Sequence, residues 1–150
     1  MGTDDRIRGN VGDVPVPVFE SIAATVAPPL DQCRVAIVTT AGLRHGGPAE
    51  LARAGDASFF VLPGGARDLQ LSHFSPNFDR AGFTADLNVV YPVDRLHELA
   101  ASGVIGSVAS RHLSFMGAQF DLSTLMVDTG PAAAQMLLAD GVDVVVLTPV

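Results

Sequence analysis

The sequence predicts an α/β fold built on a parallel sheet, and three observations carry that prediction. Residues 35–39 form a continuous apolar, β-branched run, which suits a strand buried on both faces, and residues 142–147, apolar except for Asp143, read as another. Strand and helix signals alternate along the chain, the pattern of parallel strands joined by right-handed crossovers. The chain has 150 residues, 48% of them apolar, enough for one core that buries roughly two thirds of the unfolded surface. The expected architecture is a three-layer, Rossmann-like domain over residues 34–150, preceded by an arm over residues 1–33.

The arm contains Val14-Pro-Val-Pro17 and Pro28-Pro29; prolines lack a backbone donor and resist both helix interiors and central strands. A short helix is expected near residues 19–26. Residues 35–39 form the first strand, after which Gly42, Gly46, Gly47 and Pro48 mark a loop. Residues 58–62 read as a second strand closed by Pro63-Gly-Gly65, and residues 69–73 as a third, short one. The polar stretch 75–86 reads as a loop long enough to be functional.

Pro92 suits a helix's first turn, Asp94 and Glu98 favour its positive end, and Val93, Leu96, Leu99 and Ala100 form an apolar stripe before Gly103. That pattern predicts a helix of about ten residues. Residues 104–108 read as a strand, residues 131–139 as a helix capped by Gly141, and residues 142–147 as the closing strand. No internal repeat or low-complexity tract interrupts the series.

Composition excludes several classes of function. The formal charge is -7, and the basic residues are nine dispersed arginines without a lysine, so no cationic stripe offers itself to nucleic acid. No apolar run approaches the ~20 residues of a membrane helix, and no leader pattern opens the sequence; a soluble, cytoplasmic protein is expected. Cys33 is the sole cysteine, which rules out an internal disulfide framework and a Cys-rich metal site and suits a reducing compartment. It reads as an incidental thiol at a strand entrance. Phosphate loops, dinucleotide fingerprints, serine-hydrolase elbows and zinc pairs are all missing, so neither a metal nor a cofactor is expected.

Open parallel sheets bind ligands beyond the carboxyl ends of their strands. That rule selects Thr39, Thr40 and Gly42, then His73 with the polar loop behind it, then His112-Leu-Ser-Phe-Met-Gly117, and finally Thr148-Pro-Val150. His73 can act as acid, base or charge partner near neutrality, or merely bond loop backbone. His112 stands among Leu113, Phe115 and Met116, where it either faces the rim or caps a strand end. Thr39 and Thr40 could hold a carboxylate, although threonines also end many buried strands. Asn77, Asp79 and Asn88 are either polar site residues or turn formers. His97 belongs on a solvated helix face and His45 in a surface turn.

Six blocks occur in a recognisable order: Val35-Ala-Ile-Val-Thr-Thr-Ala-Gly42, Leu71-Ser-His73, Asn88-Val-Val-Tyr-Pro-Val-Asp-Arg-Leu96, Gly103-Val-Ile-Gly-Ser107, His112-Leu-Ser-Phe-Met-Gly117 and Asp140-Gly-Val-Asp-Val-Val-Val-Leu-Thr-Pro-Val150. Together they resemble the selenoprotein B family of glycine, sarcosine, betaine and D-proline reductases, over about residues 34–150. The resemblance implies a thiol- or selenol-dependent reductase subunit that releases the amine from a small amino acid or amine and works with partner subunits. It also implies a selenocysteine or cysteine directly after Val150, a position this sequence does not contain. The expectation is an N-terminal part of a larger protein, inactive alone, ending either at an in-frame UGA codon read as a stop or at a genuine deletion or fragment boundary. An exposed apolar edge, and with it homo-oligomerisation, would accompany a missing half.

Carried over by that resemblance, His73 matches the family's histidine after the third strand and is the catalytic candidate. Thr39, Thr40, Asp79, His112 and Ser114 would line the substrate rim. Asn77-Phe-Asp79 matches a His-Tyr-Asp-like run only loosely, since Asn replaces His and the spacing is longer. Two rival readings stay open on the residues alone: a non-catalytic module that binds a small carboxylate or assembles with a partner, and a racemase-like α/β domain. The racemase reading needs a second cysteine in a matching half.

Overall fold

The structure, a computed structural model, describes residues 17–20, 25–46, 53, 55–73, 80–117, 119 and 121–150. The expected first strand is β1 (Arg34–Thr39), and it organises the molecule. Val35 pairs in parallel with both Val108 and Val144, and Val38 with both Leu113 and Leu147. One flank of β1 is therefore lined by β7 (Val144–Thr148), and the other by β5 (Ser107–Val108) followed by β6 (Arg111–Phe115). Beyond β6 lies β3 (Phe59–Pro63), which runs antiparallel to it. The sheet is thus mostly parallel, with one antiparallel strand on its outer side.

Alternation along β1 supplies both cores. Val35 and Ile37 face α2 (Val93–Ala101), packing with Tyr91, Val93, Leu96 and Ile105. Ala36 faces the other way, toward Ala133 and Leu137 of α3 (Gly130–Ala139) and toward Leu113 and Phe115 of β6. Helices thus cover both faces, and burying an aliphatic side chain of this kind stabilises the fold by roughly 1.5–3 kcal/mol. Both predicted helices form near their expected bounds: α2 carries an apolar stripe behind Pro92, and α3, apolar on nearly every side, has a proline in its first turn.

The entrance to α2 depends on Asn88. Its Oδ1 accepts from the Asp94 N–H at 3.1 Å, while its Nδ2 donates to Asp86 and Asp94 carboxylates. Asn88 therefore caps the first turn of α2 from outside that turn. Asn88→Ala is expected to lower the unfolding free energy by about 1 kcal/mol, measured by urea denaturation; an unchanged midpoint would refute the capping role.

Several expectations need correction. The stretch 75–86 is not all loop, since α1 (Arg80–Ala85) occupies its second half, with Phe83 as its one large apolar side chain; a helix that small shows no stripe to read. Leu69–Leu71 is β4, but it ends before His73 and pairs antiparallel with β2 (Leu43–His45) in a separate two-stranded sheet. That places a strand where glycines suggested only a loop. The strand expected over 104–108 shrinks to Ser107–Val108, and β6 was not foreseen as a strand. The helix expected near residues 19–26 falls partly outside the described residues; a 3₁₀ turn, Leu30–Gln32, precedes β1 instead. Finally, β7 is not buried on both faces: it has β1 on one flank only, and Leu147 is 71% exposed.

The offset between β5 and β6 is the least regular feature of the sheet. Arg34 pairs with Ser107 but Val38 with Leu113, so two extra residues bulge between Val108 and Leu113, after the Ala109 N–H has donated to the Val35 carbonyl at 2.9 Å. The carbonyl of Ser110 turns away to accept from the Gly64 N–H at 2.8 Å. Opposite the bulge, the Ile37 N–H donates to Nδ1 of the His112 ring at 3.0 Å. A side-chain nitrogen thus stands in for a missing ladder carbonyl, as a buried backbone donor requires.

Candidate active site at the end of the sheet

The carboxyl ends of β1, β6 and β7 meet on one rim. Thr40 closes β1, and its N–H donates to the carbonyl of Thr148 at 3.2 Å. Its hydroxyl accepts from the Val150 N–H at 2.8 Å, which ties the end of β7 to the end of β1. Gly117, just past β6, donates its N–H to the Thr40 carbonyl at 2.9 Å. A Cβ added to Gly117 would lie 3.1 Å from the Thr40 carbonyl oxygen, 3.2 Å from His73 Nε2 and 3.2 Å from the Val150 carbonyl oxygen. Thr40, His73, Gly117 and Val150 therefore converge, as the rule of strand carboxyl ends led one to expect.

His73 reaches this rim from the loop after β4 and is 3% exposed. The Ser72 N–H and hydroxyl both donate to the Gly42 carbonyl, at 2.9 and 2.6 Å, and Arg80 donates to the His73 carbonyl at 2.9 Å. Burial, then the positive charge of Arg80, holds the imidazole pKa below its ordinary value, so the ring is neutral at neutral pH. A neutral imidazole can accept a proton from a thiol or receive an N–H from a substrate amine.

Other candidates turn inward. Thr39 is fully buried; its hydroxyl donates to the Thr148 carbonyl at 3.3 Å and accepts from the Ala41 N–H at 3.2 Å. Ser114, equally buried, accepts from the Leu43 N–H at 2.7 Å. His112 bonds Ile37 as described, stacks edge-on against Tyr91 at 5.4 Å, and has its pKa pushed down to about 4, chiefly by burial and secondarily by His97. These three hold the strands whose ends form the rim. Asp79, with Asn77, lies outside the described residues.

Gly117 and Val150, which the strand-end rule selected only as the last members of longer segments, matter here individually. The signal for Gly117 was its place at the end of the His112 block; its crowding shows only in three dimensions. Beside the rim, an apolar cleft of about 760 Å³ runs between α3 and the sheet, with Val38, Phe115, Leu137 and Leu147 in its walls and Thr40, Gly117 and Val150 at its mouth. Cys33 takes no part: buried at the start of β1, it donates to the Pro28 and Pro29 carbonyls, and burial together with Asp143 and Asp31 raises its pKa. Among the described residues no group of three His, Cys, Asp or Glu side chains could hold a metal ion. Nor is any described helix long and apolar enough to cross a membrane.

The family model for glycine/sarcosine/betaine reductase selenoprotein B matches residues 7–150. The chain belongs to the selenoprotein B family. Among curated relatives, the D-proline reductase subunit gamma of Acetoanaerobium sticklandii is 34% identical over 145 residues, 95% of this chain and 59% of its own length. The sarcosine reductase complex component B subunit beta of Peptoclostridium acidaminophilum is 28% identical over 91% of this chain and 32% of its own. The glycine reductase complex component B subunit gamma of Carboxydothermus hydrogenoformans is 29% identical over 95% of this chain and 34% of its own. The chain thus spans between a third and three fifths of these selenoprotein B relatives. Their names are those of reductase subunits, which favours neither the binding-module nor the racemase reading. No solved structure matches the chain.

Proposed function

We propose that this chain forms the substrate rim of a thiol- or selenol-dependent reductase subunit, in which the carboxyl end of β7 presents the nucleophile. The observation that carries the reading is the convergence of Val150 with Thr40 and His73 around Gly117. A residue following Val150 would stand at the end of a strand, beside a neutral imidazole able to take a thiol proton. Thr40 and His73 would meet the substrate; Thr39, His112 and Ser114 support them from below, and Asp79 is assigned to the rim by family likeness.

The names of the relatives, subunits of D-proline, sarcosine and glycine reductases, support a reductive cleavage of the following form. The thiolate or selenolate attacks the carbon that bears the amine, a bond from sulfur or selenium to carbon forms, and the C–N bond breaks as the amine leaves with a proton. A second thiol then releases the fragment. Overall a C–N bond becomes C–H while two thiols become a disulfide, so a dithiol supplies both electrons. Partner subunits would bring that dithiol, and such chemistry suits the cytoplasm.

The test compares purified 1–150 with a longer product that carries Cys directly after Val150 and continues along the downstream reading frame. Each is assayed for amine release from glycine, sarcosine and D-proline with a dithiol. Turnover is expected only from the longer protein, and His73→Ala in it should lower kcat by roughly 100-fold. Amine release by 1–150 itself would defeat the reading, and calorimetric binding by both proteins without turnover by either would favour a binding module. Sequencing the DNA beyond Val150 gives a separate check: an in-frame TGA followed by coding sequence supports the reading, and a lost frame opposes it.

A further inference from the structure

His73 is enclosed by two glycines from different strand ends. Gly42 follows β1 with a φ of 65°, a conformation side chains rarely adopt. A Cβ there would also meet Met116 Cε at 2.9 Å, the His73 nitrogen at 3.2 Å and the His73 Cα at 3.4 Å. Gly117 follows β6, and 3.2 Å separates the place of its Cβ from Nε2 of the ring. One glycine thus admits the histidine's main chain and the other its imidazole.

We infer that Gly42 and Gly117 are positioning residues for His73, clearing the space that lets its imidazole reach the joined ends of β1 and β7. Contacts at 3.1–3.2 Å are too close for a methyl group unless a neighbour yields. At Gly117 two of the three neighbours are main-chain carbonyls: that of Thr40 accepts the Gly117 N–H at 2.9 Å, and Val150 is tied through its N–H to the Thr40 hydroxyl at 2.8 Å. The imidazole yields by turning about side-chain torsions, which shift more readily than main chain, so it is the group expected to move. Gly42 cannot serve as the diagnostic site, because its φ alone strains any other residue. Gly117 has no such restriction, and alanine there reports on space alone.

The inference builds on the reading of His73 as the rim's proton-handling residue, but its test needs no turnover. A failure of catalysis and a failure of positioning are therefore separate results. Gly117→Ala in the 150-residue chain is compared with Gly65→Ala, a glycine with nothing within 4 Å of its Cβ position, by NMR titration of the His73 ring. Arg80, the charged group known to reach His73, is untouched in both. The His73 pKa should rise toward the ordinary histidine value by roughly half a unit or more in Gly117→Ala, as the ring is pushed toward water, and should stay put in Gly65→Ala. An unshifted His73 in folded Gly117→Ala overturns the inference. Should Gly117→Ala fail to fold, His73→Ala is added to it: recovery of a cooperative transition supports the steric conflict with the ring, and continued failure assigns Gly117 to strand packing and overturns the proposal.

Discussion

His112→Ala is expected to lower the unfolding free energy by about 3–5 kcal/mol, because truncation removes a packed ring and strands a buried donor at once. The ring is fully buried against Tyr91, and its Nδ1 accepts the Ile37 N–H at the place where β6 slips two residues against β1. The two contributions can be told apart. His112→Asn keeps an acceptor near the position of Nδ1 and loses volume, whereas His112→Phe keeps the volume and leaves Ile37 without a partner. Urea denaturation should rank both between wild type and His112→Ala. If His112→Phe matches wild type, the ring nitrogen does nothing for the ladder.

The consequence extends to the rim. Beyond the bulge, β6 delivers Ser114 to the Leu43 N–H, the Phe115 carbonyl to the Gly42 N–H and the Gly117 N–H to Thr40. Each of these bonds presupposes the two-residue offset that His112 stabilises. Loosening at His112 should therefore be visible as faster amide exchange at Gly42 and Gly117, ahead of global unfolding.

The same residue shows where sequence reading reached its limit. β1 was legible as a continuous apolar run, α2 by an apolar stripe at helical spacing, and α3 by Pro131 at its start and Gly141 beyond its end. β6 reads Arg-His-Leu-Ser-Phe, and its polar residues look like loop or rim chemistry until the bulge and the neighbouring loop are seen to need their atoms. A hydroxyl that serves a substrate and one that serves a backbone N–H have the same sequence signature, which is why Thr39, Thr40 and Ser114 looked alike. Only Thr40 is open to the rim. The exposure of β7 was likewise beyond reach, since five apolar residues predict burial but do not say which chain will provide it.

Acidification supplies the second large effect. The His112 pKa is pushed down to about 4 in the folded protein, against about 6.5 in an unfolded chain. Between those values the unfolded state binds a proton that the native state refuses, so stability falls as pH falls. The loss begins near pH 6.5, is complete near pH 4 and amounts to about 3 kcal/mol for this one group. His73, lowered for the same reason and further by Arg80, pulls in the same direction. Asp86, Asp121 and Asp140 are held below the usual carboxylate range by Asn88, Ser123 and Arg111, so their contribution disappears only at still lower pH. The two windows are therefore separable: urea denaturation at steps from pH 7.5 to 4 should show a decline that flattens markedly in His112→Asn, whose side chain takes up no proton. A decline of equal slope in that variant would mean that the imidazole is not neutral in the folded core, and the role of Nδ1 as acceptor for Ile37 would fall with it.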